Sequence, residues 1–315
     1  MAQSKERKSS GNARWLVTAW PGMGTVAVTA VVYLLSRLKM RQIEEFDAHD
    51  LFELEEAEVD DGLVHSVALP RSRLFLAEDA APGLDIVVFL GEAQPPTGKY
   101  GLCQRLLATA RKLGVTRVFC FAAWSTGMEP AVSSRVRGVA TDEEGLSELR
   151  RRGVAVVGRG RITGLNGVLL AAASEAGLPG VGLLGEMPAL AHQLPYPSAS
   201  AAVLRAFSDI AGMTLELDEL ERYGRQTQEQ LATAYWQAIR ALGEELGEQA
   251  EETAPADAAP AEPPAPPVLE PNRIEELFAQ AALDRAKAFE LKNELDRLGV
   301  FRQYEDRFLA LFHKP

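Results

Sequence analysis

Cysteine and histidine are scarce in this 315-residue chain, with two of the first and four of the second. Cys103 and Cys120 stand at no metal-ligand or redox spacing, which predicts two buried thiols in a reducing compartment. His49, His65, His192 and His313 are scattered with no pair at metal spacing, so no metal site is expected. The nucleophile-elbow pattern G-x-S-x-G never occurs, Ser133 and Ser134 have no base nearby in sequence, and no complete catalytic constellation emerges. Long apolar runs are missing too. Val26 to Leu35 is too short to span a bilayer, and the opening "MAQSKERKSSGNAR" has no apolar signal core, which together predict a cytoplasmic chain with no membrane partner. Positive charge is in the minority. A formal net charge of −11 repels phosphate backbones and argues against nucleic acid as a partner. Part of that excess sits in Glu244, Glu248, Glu252, Asp257, Glu262 and Glu270, with no Lys or Arg between them.

What is present is an alternation of short apolar and amphipathic segments from Trp15 to about Ile210. "RWLVTAW", "LDIVVFLG", "TRVFCFAA", "GVAVVG" and "LPGVGLLG" read as buried strands, Val-rich and bounded by glycine. Helices are predicted over 24–39, 99–113, 142–152, 165–177 and 198–211. In "ATDEEGLSELRRRG", Thr141 is placed to cap the helix, Glu144 completes a capping box, and Gly153 ends it. The alternation implies an α/β fold with a mainly parallel sheet covered by helices on both faces. Residues 41–80, with "VHSVALP" and "SRLFLA", suggest an antiparallel excursion.

Four segments follow. Residues 1–13 are read as a disordered N-terminus and 14–248 as the α/β domain, helical from about 219. Residues 249–271 are Pro/Ala/Glu-rich and form a disordered linker, and 272–315 make a helical hairpin or hook. In that tail Asn272 is placed to cap a helix with Glu275 at the third position. Gly299 breaks the pattern, and Phe301, Tyr304, Phe308, Leu311 and Phe312 then mark one aromatic face suited to docking.

The most suggestive motif is "AWPGMGTVA" at 19–27. Its Gly22-Met23-Gly24-Thr25-Val26-Ala27 has the G-x-G-x-x-A form of a dinucleotide loop, and Glu44 stands about 20 residues on. "RQIEEF" is a poor second strand for such a site, no Walker lysine follows, and tight strand-to-helix packing explains the glycines equally well, so no cofactor is assigned. Other polar groups stand where parallel strands should end: Gly91-Glu92, Trp124 and Gly185-Glu186. With Gly22, Gly24 and Asn166 they define a candidate ligand cleft. Glu92 and Glu186 are candidates to share it as acid/base partners or hydrogen-bond acceptors, or else each caps a following helix or pairs with a nearby Arg.

Taken in order, "AWPGMGTVAVTAVVYLLSRL", "DIVVFLGEAQP", "LGVTRVFCFAAW", "GLNGVLLAAASEAGLPGVGLLGEMP" and "LPYPSASAAVLRAFSDIAGMTLELDEL" resemble the proteasome assembly chaperone 2 family from about Arg14 to Gln230. The resemblance implies a three-layer α/β sandwich similar to purine nucleoside phosphorylase folds. It also implies homo-oligomers, with a trimer as one candidate, and a non-enzymatic role in protein binding; eukaryotic and archaeal members bind proteasome α-subunits. Proteasome-binding members end in a hydrophobic residue, tyrosine and any residue. This chain ends "LALFHKP", with Lys314 at the tyrosine position, while Tyr304 lies within a helix. Two readings stand: an assembly or scaffolding protein whose tail helices dock on a partner, and a small-molecule enzyme or sensor using the cleft.

Overall fold

Unbroken apolar runs become the strands buried on both faces. The computed structural model describes residues 11–53, 57–248 and 271–312. β1 (Ala13–Ala19) leads through a short helical turn into α1 (Val26–Arg37) and β2 (Arg41–Phe46). A hairpin of β3 (Ala57–Asp60) and β4 (Leu63–Ser66) precedes β5 (Ser72–Ala81) and β6 (Leu84–Gly91). Then come α2 (Lys99–Lys112), β7 (Arg117–Thr126), β8 (Val136–Ala140), α3 (Glu143–Arg151), β9 (Ala155–Val156), α4 (Gly164–Glu175) and β10 (Gly180–Pro188). α5 (Pro197–Ala211) and α6 (Asp218–Glu248) complete the α/β body. α7 (Pro271–Leu283), α8 (Ala288–Arg297) and α9 (Phe301–Ala310) follow.

The main sheet runs β2-β5-β6-β1-β7-β10-β8-β9. β6, β1, β7 and β10 are mutually parallel, while β5 is antiparallel to both its neighbours and β8 is antiparallel to β10. The sheet is therefore mixed, with a parallel centre. Alternate residues of each central strand enter opposite cores. Val17, Ile86, Val88, Phe119 and Phe121 meet α1 and α5, and Leu16, Val87, Phe89, Val118 and Cys120 meet α2 and α4. The alternation implied this helix-covered sheet, and the resemblance its three-layer α/β form.

Part of the expected detail shifts. "RVRGVA" was not read as a strand because its charged alternation lacks the apolar run, yet β8 forms there as β10's antiparallel neighbour. "GVAVVG" contributes only Ala155–Val156, a short edge strand. Of "VHSVALP", residues through Ser66 belong to a separate hairpin rather than to the main sheet. Helix α3 is capped by Asp142, whose side chain accepts from Gly145 N at 2.7 Å. Thr141 instead accepts from Gly180 N at 2.8 Å, joining β10 to the helix start.

The first ten residues and almost all of 249–271, expected to be disordered, lie outside the described residues, as does Lys314. Asn12 is ordered, its side chain donating to Asp79 and Asp85. The tail is three helices rather than two. Asp284 interrupts the first, its carboxylate accepting from Ala286 N at 3.0 Å to start a new turn.

These helices lie across α1. Tyr33 meets Phe289 edge-on at 4.7 Å, and Arg285 donates to the Met40 carbonyl at 3.1 Å. At the sheet, Arg73 on β5 is almost fully buried and bridges Glu92 and Asp306 of α9, the latter at 2.5 Å; Arg71 pairs with Asp306 as well. Burial raises the Asp306 carboxyl, but hydrogen bonds and charge from Arg73 and Arg71 outweigh it and hold the group below its ordinary value.

Candidate functional site

The glycine loop after β1 is built for packing. Gly24 adopts φ 61, and a Cβ there would lie 2.8 Å from Met187 Sδ. Its N–H donates to the His192 carbonyl at 3.1 Å and its carbonyl accepts from Tyr196 N at 2.9 Å. With that amide already committed, Gly24 does not offer it to a pyrophosphate as the second glycine of a dinucleotide fingerprint would. Thr25 beside it is held at φ 49, a left-handed conformation that costs a non-glycine residue on the order of 1–3 kcal/mol.

Gly91 serves the same region from below. A Cβ on it would lie 2.5 Å from the Trp20 ring, so the indole seats only on glycine. Trp20 is 1% exposed and its Nε1 has no hydrogen-bond partner. Gln94, which sequence reasoning passed over, ties two loops together: Nε2 donates to the Pro21 carbonyl at 2.9 Å and Oε1 accepts from Leu165 N at 3.1 Å. A lone amide three residues past a strand gives no pattern to read. Its role appears only when α4 arrives beside the β1 loop. The G-L-N-G turn is likewise steric, since a Cβ on Gly167 would lie 2.0 Å from the Ile162 carbonyl oxygen.

These loops enclose a cleft of about 330 Å³ at the carboxyl ends of β1, β7 and β10. Gly22, Trp124 and Asn166 line it with Gln94, Thr163 and Arg161. Of the remaining sequence candidates, Gly24 and Gly91 pack behind the wall, and Glu92 and Glu186 do not line the cleft at all. Glu92 pairs with Arg73 and accepts from Arg71 N at 2.7 Å, whereas Glu186 accepts from Arg137 Nε at 2.6 Å. The idea that the two share one pocket is thus corrected. β1 and β7 stand between their strands, and each carboxylate is taken by its own arginine. The lining contains no carboxylate, imidazole or thiol; Arg161 is its charged group, and the α4 N-cap Thr163 makes no side-chain capping bond. Such a wall supplies recognition by hydrogen bonds, stacking and positive charge.

Elsewhere, among the described residues, no cluster of three His, Cys, Asp or Glu is placed to hold a metal ion. Burial pushes both the Cys103 and the Cys120 thiol up to about 12, leaving them protonated and unreactive at neutral pH. Of the aromatic docking candidates, Phe308 and Phe312 are fully buried in the chain's own core. Phe301, Tyr304 and Leu311 are partly buried against it, with Phe301 under the Lys292 ammonium at 4.6 Å. A second groove of about 760 Å³ runs between α6 and the tail helices, with Tyr223, Leu231 and Leu277 in its walls. Burial, then Asp296 and Glu294, pushes the Tyr223 hydroxyl up to about 12.

Residues 16–234 match the PAC2 family, well over half of the chain. The protein belongs to the PAC2 family. Its α/β body is similar to that of a PAC2 family protein of Streptomyces avermitilis, at 26% identity and a TM-score of 0.61, covering 70% of this chain and 95% of that one. It is also similar to Pyrococcus furiosus PbaA, described as an archaeal homologue of proteasome-assembly chaperone. There the identity is 26% and the TM-score 0.56, over 78% of this chain and 95% of PbaA. An uncharacterised protein of Methanocaldococcus jannaschii is 26% identical over 210 residues, 66% of this chain and 77% of that one. The PAC2 match ends within α6, so α7, α8 and α9 lie beyond it. Among the described residues, no helix is long and apolar enough to cross a membrane.

Proposed function

We propose that this PAC2 protein is a non-enzymatic assembly chaperone or scaffold that works as a homo-oligomer on a protein partner, of the proteasome α-subunit type where the host has one. The reading is carried by the α/β body it has in common with PbaA, an archaeal homologue of proteasome-assembly chaperone. The cleft, with no acid/base pair in its walls, is consistent with it. The tail helices serve as a docking element through their outward surfaces, because Phe308 and Phe312 are spent on the chain's own core. The test adds the purified protein to unassembled α-subunits from the same host and follows ring formation on native gels. Faster or fuller ring formation is expected; an unchanged time course and yield would overturn the reading.

A specific observation favours a second role. Asn166 Oδ1 and Trp20 Nε1 are buried polar atoms without partners on residues that line the cleft beside Arg161. That fits a sensor of nucleoside-, nucleotide- or amino-acid-like ligands. A thermal-shift series with these classes tests it, since a ligand at about 100 times its Kd adds roughly 2.7 kcal/mol. No shift with any compound would sink the sensor role and leave the assembly role standing.

A further inference from the structure

The two ends of the eight-stranded sheet carry opposite charge. β2 and β9 are its outermost strands. At the β2 end, residues 42–70 contain no Lys or Arg, and Glu44, Glu45, Glu58, Asp60 and Asp61 are exposed. At the β9 end, beyond the acidic first turn of α3, residues 149–160 contain no Asp or Glu, and Arg150, Arg151, Arg152 and Arg159 are exposed. None of these carboxylates and guanidinium groups has an ion-pair partner among the described residues. Strand spacing separates the two edges by about 30 Å. With a screening length of about 8 Å at physiological salt, one edge cannot neutralise the other within the same chain. A cluster of unpaired arginine in a chain of net charge −11 therefore faces outward for something acidic.

The β3–β4 hairpin adds an apolar element to the acidic edge. It follows β2 and forms a sheet of its own, with no strand of the main sheet beside it. Asp61 and Gly62, both at positive φ, make the tight turn that sets its register. Val59 and Val64 face one another across the pair and are 65% and 72% exposed. An isolated two-stranded hairpin is at best marginally stable in water, so a well-specified one with a bare valine pair is built to be covered.

We infer that the acidic β2 edge and its hairpin seat on the arginine edge at β8–β9 of a second copy of this chain. The inference rests on the homo-oligomeric reading above and names its interface. The contact is head-to-tail: each copy offers one acidic and one basic edge, and a closed ring satisfies both in every copy. A two-fold edge-to-edge contact through either edge alone would place like charges together, which selects against a simple dimer. The hairpin valines supply the apolar centre of the contact and the charges supply register and salt sensitivity.

The test compares the full chain with two triple variants, Arg150→Glu/Arg151→Glu/Arg152→Glu and Glu58→Lys/Asp60→Lys/Asp61→Lys, each checked for folding by circular dichroism. Mass is measured by sedimentation at about 0.1 M and about 1 M salt. The wild type is expected to be an oligomer that falls towards single-chain mass at high salt. Each variant is expected to be single-chain at low salt, and an equimolar mixture of the two to regain a heavy species, because the reversed edges pair with each other. A wild type that is single-chain at every salt concentration overturns the homo-oligomeric reading and this interface with it. An oligomer whose mass both folded variants retain overturns this interface alone. An arginine edge that binds duplex DNA or RNA while the wild type stays single-chain overturns the second-copy assignment.

Discussion

The two faces of the sheet are covered to different depths. On one, α2 turns Leu102, Cys103, Leu106, Leu107 and Ala110 to the core and leaves Gln104 and Arg105 to water, an ordinary amphipathic helix. On the other, α1 has no solvent face: every residue from Val26 to Ser36 is buried, because α5 lies along it and α8 crosses the side that the sheet does not reach. A helix that is apolar all round needs covering on all sides. The tail helices beyond the PAC2 match are thus a wall of this chain's own core. Arg71 and Arg73 hold that wall at Asp306, while the α2 side needs no such clasp.

The largest expected break in this comparison comes from ending the chain at residue 248. Bared of α8 and α9, the outer side of α1 should lose burial comparable to the roughly 5–15 kcal/mol that holds a typical domain. The shortened chain should aggregate or bind a hydrophobic dye, as soluble yield and dye fluorescence will report. A soluble product with an unchanged Tm would mean the two coverings are alike after all. A finer contrast sets Tyr33→Ala on α1 against Gln104→Ala on α2. Loss of the buried ring should cost about 3–5 kcal/mol. The exposed amide should cost no more than about 0.5 kcal/mol. Equal shifts in urea midpoints would remove the distinction.

The smallest effect concerns the clasp. Asp306 is 54% exposed, so Asp306→Asn should cost about 1 kcal/mol or less at neutral pH. Because its folded pKa is lowered, this contribution exists above the unfolded carboxylate value and disappears as pH falls through the folded one. The stability gap between wild type and variant should therefore close in acid. A gap that stays constant from pH 7 to about pH 2 would show that charge is not what holds α9.

The central strands were legible because burial on both faces leaves an apolar run, as in "LDIVVFLG", which is β6 residue for residue. β8 was not, since a strand at the periphery keeps its arginines, and only pairing with β10 defines it. Within the cleft, Gly22, Trp124 and Asn166 were readable from their places at strand ends and at the start of α4. Gln94 was missed, and Glu92 and Glu186 were drawn together wrongly, because position along the chain says nothing of which arginine stands alongside.

The sequence by itself determined the alternation of strands and helices, the glycine turns, the family, and the apolar character of α1 from Val26 to Leu35. Tertiary structure decided what covers that helix, which residues close the cleft, and that the acidic and basic segments lie at opposite edges of one sheet. The physical reason is the same in each case. Periodicity and turn chemistry act over a few residues, whereas ion pairs, ring contacts and edge charge depend on strand order, which brings together residues as distant as Arg73 and Asp306.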